Sequence, residues 1–148
     1  MIVYLKSPGR NQSALARVIR YLDFDNLVLT NREVVSLTGE KHEYDEEDEK
    51  RMKILLRSVK DLDAGETGKK VIIGKAALLI FKVASGQNFH EGNKRTALVA
   101  GLAFLKMNGY TLDIKDARLV SVVDKAGMAT VTLKEVEAVI QRLVKRVD

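Results

Sequence analysis

The chain has no cysteine, no tryptophan and a single proline, and only 5% of its residues are aromatic. Without cysteine there is no disulfide framework and no thiolate to act as nucleophile or metal ligand. That usage suits a reducing compartment, so a cytoplasmic location is expected. Lys6 and Arg10 lie near the N-terminus, but no continuous apolar run follows them before Arg17. This argues against a secretory signal peptide. No apolar stretch is long enough and free enough of charge to span a bilayer, so no membrane partner is expected.

The lack of aromatics also bears on the charge. A net charge of +5 and a pI near 9.4 favour an acidic partner, whether nucleic acid, a nucleotide or an acidic protein segment. The bases are dispersed, however, and no pattern of interleaved bases and aromatics accompanies them. A nucleic-acid partner is therefore not expected. With 148 residues, 46% apolar and 30% charged, the chain suits one domain, 1–148, with a sizeable core.

Helical periodicity dominates. Met1–Leu5 reads as a short N-terminal strand or part of a small hairpin, Ser7-Pro8-Gly9 as a turn, and Gln12–Leu22 as an amphipathic helix. Thr30-Asn31-Arg32-Glu33 has the form of a capping box opening a short helix that Gly39 would stop. A further helix is predicted from about Asp45 to Leu62, with acids in its first turns, where the helix dipole favours them. Lys69–Ser85 and Asn93–Met107 are so apolar that both must be buried on most sides. Thr111–Ile114 reads as extended and Asp116 to about Lys125 as helix. Thr132 caps a last helix to about Arg146. The expected fold class is all-α: a helical bundle with a polar loop between two buried central helices.

That loop is the most informative part of the chain. Asn88-Phe89-His90-Glu91-Gly92-Asn93-Lys94-Arg95-Thr96-Ala97 runs into the start of the second buried helix. Nitrogens at a helix start have no partners inside the helix, and the dipole there favours an anion such as phosphate. Gly92 lets backbone approach a ligand closely. Asn93 reads as the helix cap and a ligand contact. Glu91 offers hard oxygens to a magnesium ion carried by phosphates. Arg95 forks onto phosphate oxygens, and Lys94 adds a point charge.

The segment resembles the active-site motif of the Fic/Doc family, written H-x-F-x-D/E-G/A-N-K/G-R. Phe89, Glu91, Gly92, Asn93, Lys94 and Arg95 fall on motif positions. The run from Lys94 through Leu98 into Phe104–Gly109 is similar to the Doc (death-on-curing) branch. The resemblance extends from near Val28 to the end, which leaves 1–27 as an N-terminal extension of the family core. It implies the family's helical fold, with Mg2+ and ATP bound over Gly92, Asn93, Lys94 and Arg95, Glu91 toward the metal and Phe89 as a structural anchor. It also implies transfer of a phosphoryl or nucleotidyl (AMP) group to a hydroxyl of a target protein. In the Doc branch that target is a translation factor and the inhibitor is a separate antitoxin chain; a homodimer is a further partner to consider. One departure stands out. The family's histidine, its general base, falls on Gln87, and a neutral amide accepts no proton at physiological pH.

The remaining polar residues carry less. His90 occupies a variable motif position, three residues from the missing base, and is not expected to replace it. His42 reads as a solvated side chain in a charged loop. Ser36–Lys41 resembles part of the inhibitory S/T-x-x-x-E-G/N motif of self-inhibited members. Lys41 departs from that motif and Gly39 breaks the helix that should carry Glu40, so the match is read as chance. Two functions from different classes follow: a transferase slowed by Gln87, or an inactive nucleotide- or protein-binding regulator with the same fold. A helical nucleic-acid binder is a weaker third.

Overall fold

A computed structural model describes residues 18–147. The expected strand at Met1–Leu5, the turn at Ser7–Gly9 and most of the Gln12–Leu22 helix lie outside them. The described part is a helical bundle: α1 (Phe24–Ser36), α2 (Glu46–Asp61), α3 (Lys69–Ser85), α4 (Asn93–Met107), α5 (Ala117–Gly127) and α6 (Leu133–Leu143). Two-residue strands β1 (Tyr110–Thr111) and β2 (Lys145–Arg146) pair antiparallel, Tyr110 opposite Arg146. None of these helices is long and apolar enough to cross a membrane.

Helices α3 and α4 form the centre and pack on each other; α1 lies against α4, α2 and α6 against α3, and α5 against both. Their burial follows from composition. Ile73, Ala76, Leu79, Ile80 and Val83 of α3 and Ala97, Ala100, Phe104 and Leu105 of α4 are almost wholly inaccessible. Each large apolar side chain among them contributes about 1.5–3 kcal/mol on burial. Gly101 lets the two helices close up, since a Cβ there would strike the Ile80 side chain. Lys75 is a lysine wholly buried in this apolar face. Its Nζ donates to the carbonyls of Val59 (2.9 Å), Lys60 (3.1 Å) and Leu62, and so closes the C-terminus of α2.

Three expectations need correction. Helix α1 starts at Phe24, not at Thr30: Asp23 and Asn26 form its capping box. Thr30 sits mid-helix, its hydroxyl bonded to Asn26 O, and Asn31 is buried. Residues 18–23 are not helical. The backbone N–H and C=O of Arg20 instead bond the Asn108 side chain at the end of α4, 2.9 Å each, in place of helical partners. The last helix stops at Leu143, because Lys145 and Arg146 extend to pair with β1.

Candidate functional site

The loop between α3 and α4 is built from inside by two asparagines. Asn88 is buried, and its amide donates to Lys82 O (3.3 Å) and Val83 O (3.1 Å), closing the C-terminus of α3. A Cβ on Gly86 would come within 2.8 Å of Lys82 O, so the close crossing requires glycine there. Asn93 is not the helix cap. It is the first residue of α4, and its side chain clasps the Phe89 backbone, accepting from Phe89 N (3.0 Å) and donating to Phe89 O (2.9 Å). The Phe89 ring is buried against His42 and Tyr44.

The cap position belongs to Gly92, in the left-handed region at φ 80°, and no side chain caps the helix. A Cβ on Gly92 would lie 2.7 Å from Val35 Cγ1 and 3.2 Å from Asn31 Nδ2. Glycine is therefore needed for the approach of α1. The first turn of α4 has Lys94 and Arg95 and no acid. Its start opens into a cavity of about 400 Å³ whose lining includes Glu40, Gln87, Glu91, Gly92, Lys94 and Arg95.

The structure thus brings together every loop residue singled out from sequence. Gln87 is exposed at the rim, and its carbonyl accepts from Arg51 Nη2 at 2.9 Å. Lys94 leans across Gly127 at the end of α5, with Nζ 3.9 Å from Asp124. His90 is exposed at the same cavity, and its backbone N–H donates to Glu43 O (2.8 Å).

A segment with no expected role, Thr38–Tyr44, lies along the loop. Its Lys41 N–H donates to Glu91 Oε2 at 2.6 Å. Arg95 makes a close ion pair with Glu40, and its Nη1 donates to Thr38 Oγ1 at 3.1 Å. Thr38 in turn donates to Glu40 Oε1 at 2.7 Å. Glu40 therefore reaches Arg95 without the helix that Gly39 interrupts. Gly39 turns at φ 74° and Glu40 N bonds back to Val35 O (3.2 Å), which delivers the carboxylate from a tight turn after α1. His42 is half-buried, not merely solvated. Its Nδ1 lies 2.7 Å from Asn31 Oδ1. Burial first, and then the charge of Arg32, hold its pKa below the usual imidazole value. Asn31, Thr38 and Arg51 had no signal as site residues in the sequence, because their contacts are long-range.

Among the described residues no three or more His, Cys, Asp or Glu side chains converge in a metal cage. Of the two carboxylates at the cavity, Glu40 is engaged by Arg95; Glu91, beside an uncapped and basic helix start, suits a hard divalent cation that arrives on phosphates and keeps other ligands of its own. A larger hollow of about 530 Å³ lies at the start of α3, lined by Lys69, Lys70, Lys134 and Glu137, and has none of this loop chemistry. A sequence model of the Fic/DOC family matches residues 21–105, more than half of the chain and all of the loop. No curated protein matches the chain.

Proposed function

The chain belongs to the Fic/DOC family, and from that premise we propose that it binds Mg-ATP at the start of α4 and moves a phosphoryl or nucleotidyl (AMP) group to a hydroxyl of a target protein. One observation carries the binding half. The first turn of α4 is uncapped, basic and free of acids of its own, and it opens into a cavity lined also by Glu91 and Glu40. The unpaired N–H groups of its first turn, with Lys94 and Arg95, hold phosphates; Glu91 faces the metal they carry. Magnesium supplies charge neutralisation on the phosphates. The loop residues supply position, which with charge neutralisation is most of what phosphoryl transfer asks of a protein.

Gln87 sets the rate. Its amide orients an acceptor hydroxyl by hydrogen bonding but takes no proton, and general-base help is worth roughly 10²–10⁴-fold. The resulting enzyme is slow. The likeness to the Doc branch supports reading it as a toxin of a toxin–antitoxin pair, with a translation factor as target and a cytoplasmic site of action.

The second reading is a regulator that binds without transfer. Gln87 favours it, and so does the engagement of the two key side chains, Arg95 by Glu40 and Glu91 by the Lys41 N–H. Labelled ATP separates the two. Gln87→His restores an imidazole and should raise transfer to protein at least about a hundredfold, with an acid limb near the histidine pKa. Label retained from the γ-phosphate marks phosphoryl transfer, and label from the α-phosphate marks nucleotidyl transfer. A folded Gln87→His protein that binds Mg-ATP and modifies nothing would establish the regulator.

A further inference from the structure

We propose that Asn31 and His42 are positioning residues for Glu91, a role that rests on the reading of Glu91 as the carboxylate facing the metal. Asn31 lies on α1 with no exposed surface. Its Nδ2 donates to Glu91 O (2.8 Å) and to Thr96 Oγ1 (3.1 Å). A backbone carbonyl only accepts, so the amide nitrogen must face the loop and Oδ1 must face His42. Oδ1 carries no proton, so His42 Nδ1, 2.7 Å away, must donate. The neutral ring is therefore the Nδ1–H tautomer, with its lone pair on Nε2.

His42 stands between two backbone groups that grip the loop. Lys41 N–H, just before it, holds Glu91 Oε2; Glu43 O, just after it, accepts from His90 N. Phe89 and Tyr44 flank the imidazole, with centroids 5.9 and 5.8 Å away. One buried amide thus fixes Glu91 at both ends. It bonds the Glu91 carbonyl directly, and through His42 it sets the segment whose N–H holds the Glu91 carboxylate. Gly92 lies 3.2 Å from Asn31 Nδ2 by its missing Cβ, so the same amide also packs the turn that follows. A knot that served only stability would weaken every property of the site together. A positioning knot acts on the metal-dependent share of ligand affinity.

The test is calorimetric titration of ATP, with and without magnesium, into the whole chain and three variants. His42→Phe keeps the ring and loses the donor. His42→Asn keeps a donor at similar reach and loses the ring. Asn31→Asp keeps the size and the acceptor and loses both N–H donors. Magnesium should strengthen ATP binding by the wild type. That gain should fall at least about tenfold in His42→Phe and Asn31→Asp, with metal-free affinity within about twofold in His42→Phe, and should largely return in His42→Asn. A magnesium gain unchanged in all three, or a fall in proportion to metal-free affinity, overturns the inference. Wild-type protein that binds no Mg-ATP instead overturns the functional reading, and this inference with it. Imidazole nitrogen NMR of the wild type needs no variant to fold: an Nε2–H tautomer at His42 also overturns the relay.

Discussion

Helices α3 and α4 both begin at a glycine with positive φ, Gly68 at 110° and Gly92 at 80°, and neither start has a side-chain cap. Both place two bases in the first turn, Lys69 and Lys70 in one, Lys94 and Arg95 in the other, and neither has an acid there. The other four helices are closed by Asp23, Asp45, Asp116 and Thr132. The two open starts differ in what surrounds them. A Cβ on Gly68 would meet nothing within 4 Å, and one on Gly92 would run into Val35 and Asn31. The α3 start faces lysines, Glu137 and open space. The α4 start is walled by α1, by the 38–44 segment and by the loop, with a carboxylate set beside it. An unpaired helix start is common property; the walls single out one of them as the candidate site.

The largest effect that would sharpen this contrast is on stability. Gly92→Ala should cost about 2–4 kcal/mol, from left-handed strain together with the clash on Val35. Gly68→Ala should cost about 1–3 kcal/mol, from the strain of a glycine-only backbone conformation with no clash added to it. Urea unfolding of the two variants checks this, and equal costs would erase the distinction. Next in size is ligand affinity. Glu91→Ala should remove the magnesium-dependent part of ATP binding, about tenfold or more. Lys69→Ala with Lys70→Ala should change ATP affinity by less than about twofold, and calorimetry of both tells the two starts apart. A smaller effect concerns Glu40, whose pair with Arg95 is partly exposed. Such pairs are worth about 0.2–1 kcal/mol, so Glu40→Gln should tighten ATP binding by up to about fivefold. Weaker binding in Glu40→Gln would mean that Glu40 helps hold the ligand.

The smallest effect belongs to a closed start. Asp116 caps α5 and pairs with Arg118; the hydrogen bond from the Arg118 side chain, then that from its backbone, lowers the Asp116 pKa from 3.8 to about 2. A carboxylate with a depressed folded pKa contributes stability above its unfolded value, and loses it as pH falls through the folded one. The melting-temperature difference between wild type and Asp116→Asn should therefore shrink between about pH 4 and pH 2. A difference constant over that range would show that the cap does not depend on ionisation.

How legible each part was in sequence follows the range of its contacts. The limits of α3 and α4 are readable because each is a mostly apolar run entered through a glycine, and both are buried on most sides. The start of α1 was not. Its capping box is Asp23 with Asn26, while Thr30-Asn31-Arg32-Glu33 has the local form of a cap in the middle of a helix. Asn31 is used across 60 residues of sequence, to Glu91, and no local pattern announces that. Lys75 looks misplaced in an apolar stretch until the carbonyls ending α2 meet its ammonium. The loop residues line one cavity and stand out in sequence because they are contiguous. Their partners Glu40 and Lys41 come from a turn that looked too broken to matter.

The central claim is that the α4 start holds the phosphates of Mg-ATP through Arg95. Calorimetric titration of Mg-ATP into the wild type and Arg95→Ala tests it most directly. We expect measurable wild-type binding and a loss of about tenfold or more in Arg95→Ala, as suits a charge-assisted bond to phosphate. No heat at millimolar Mg-ATP, or equal affinity in a folded Arg95→Ala protein, would contradict it.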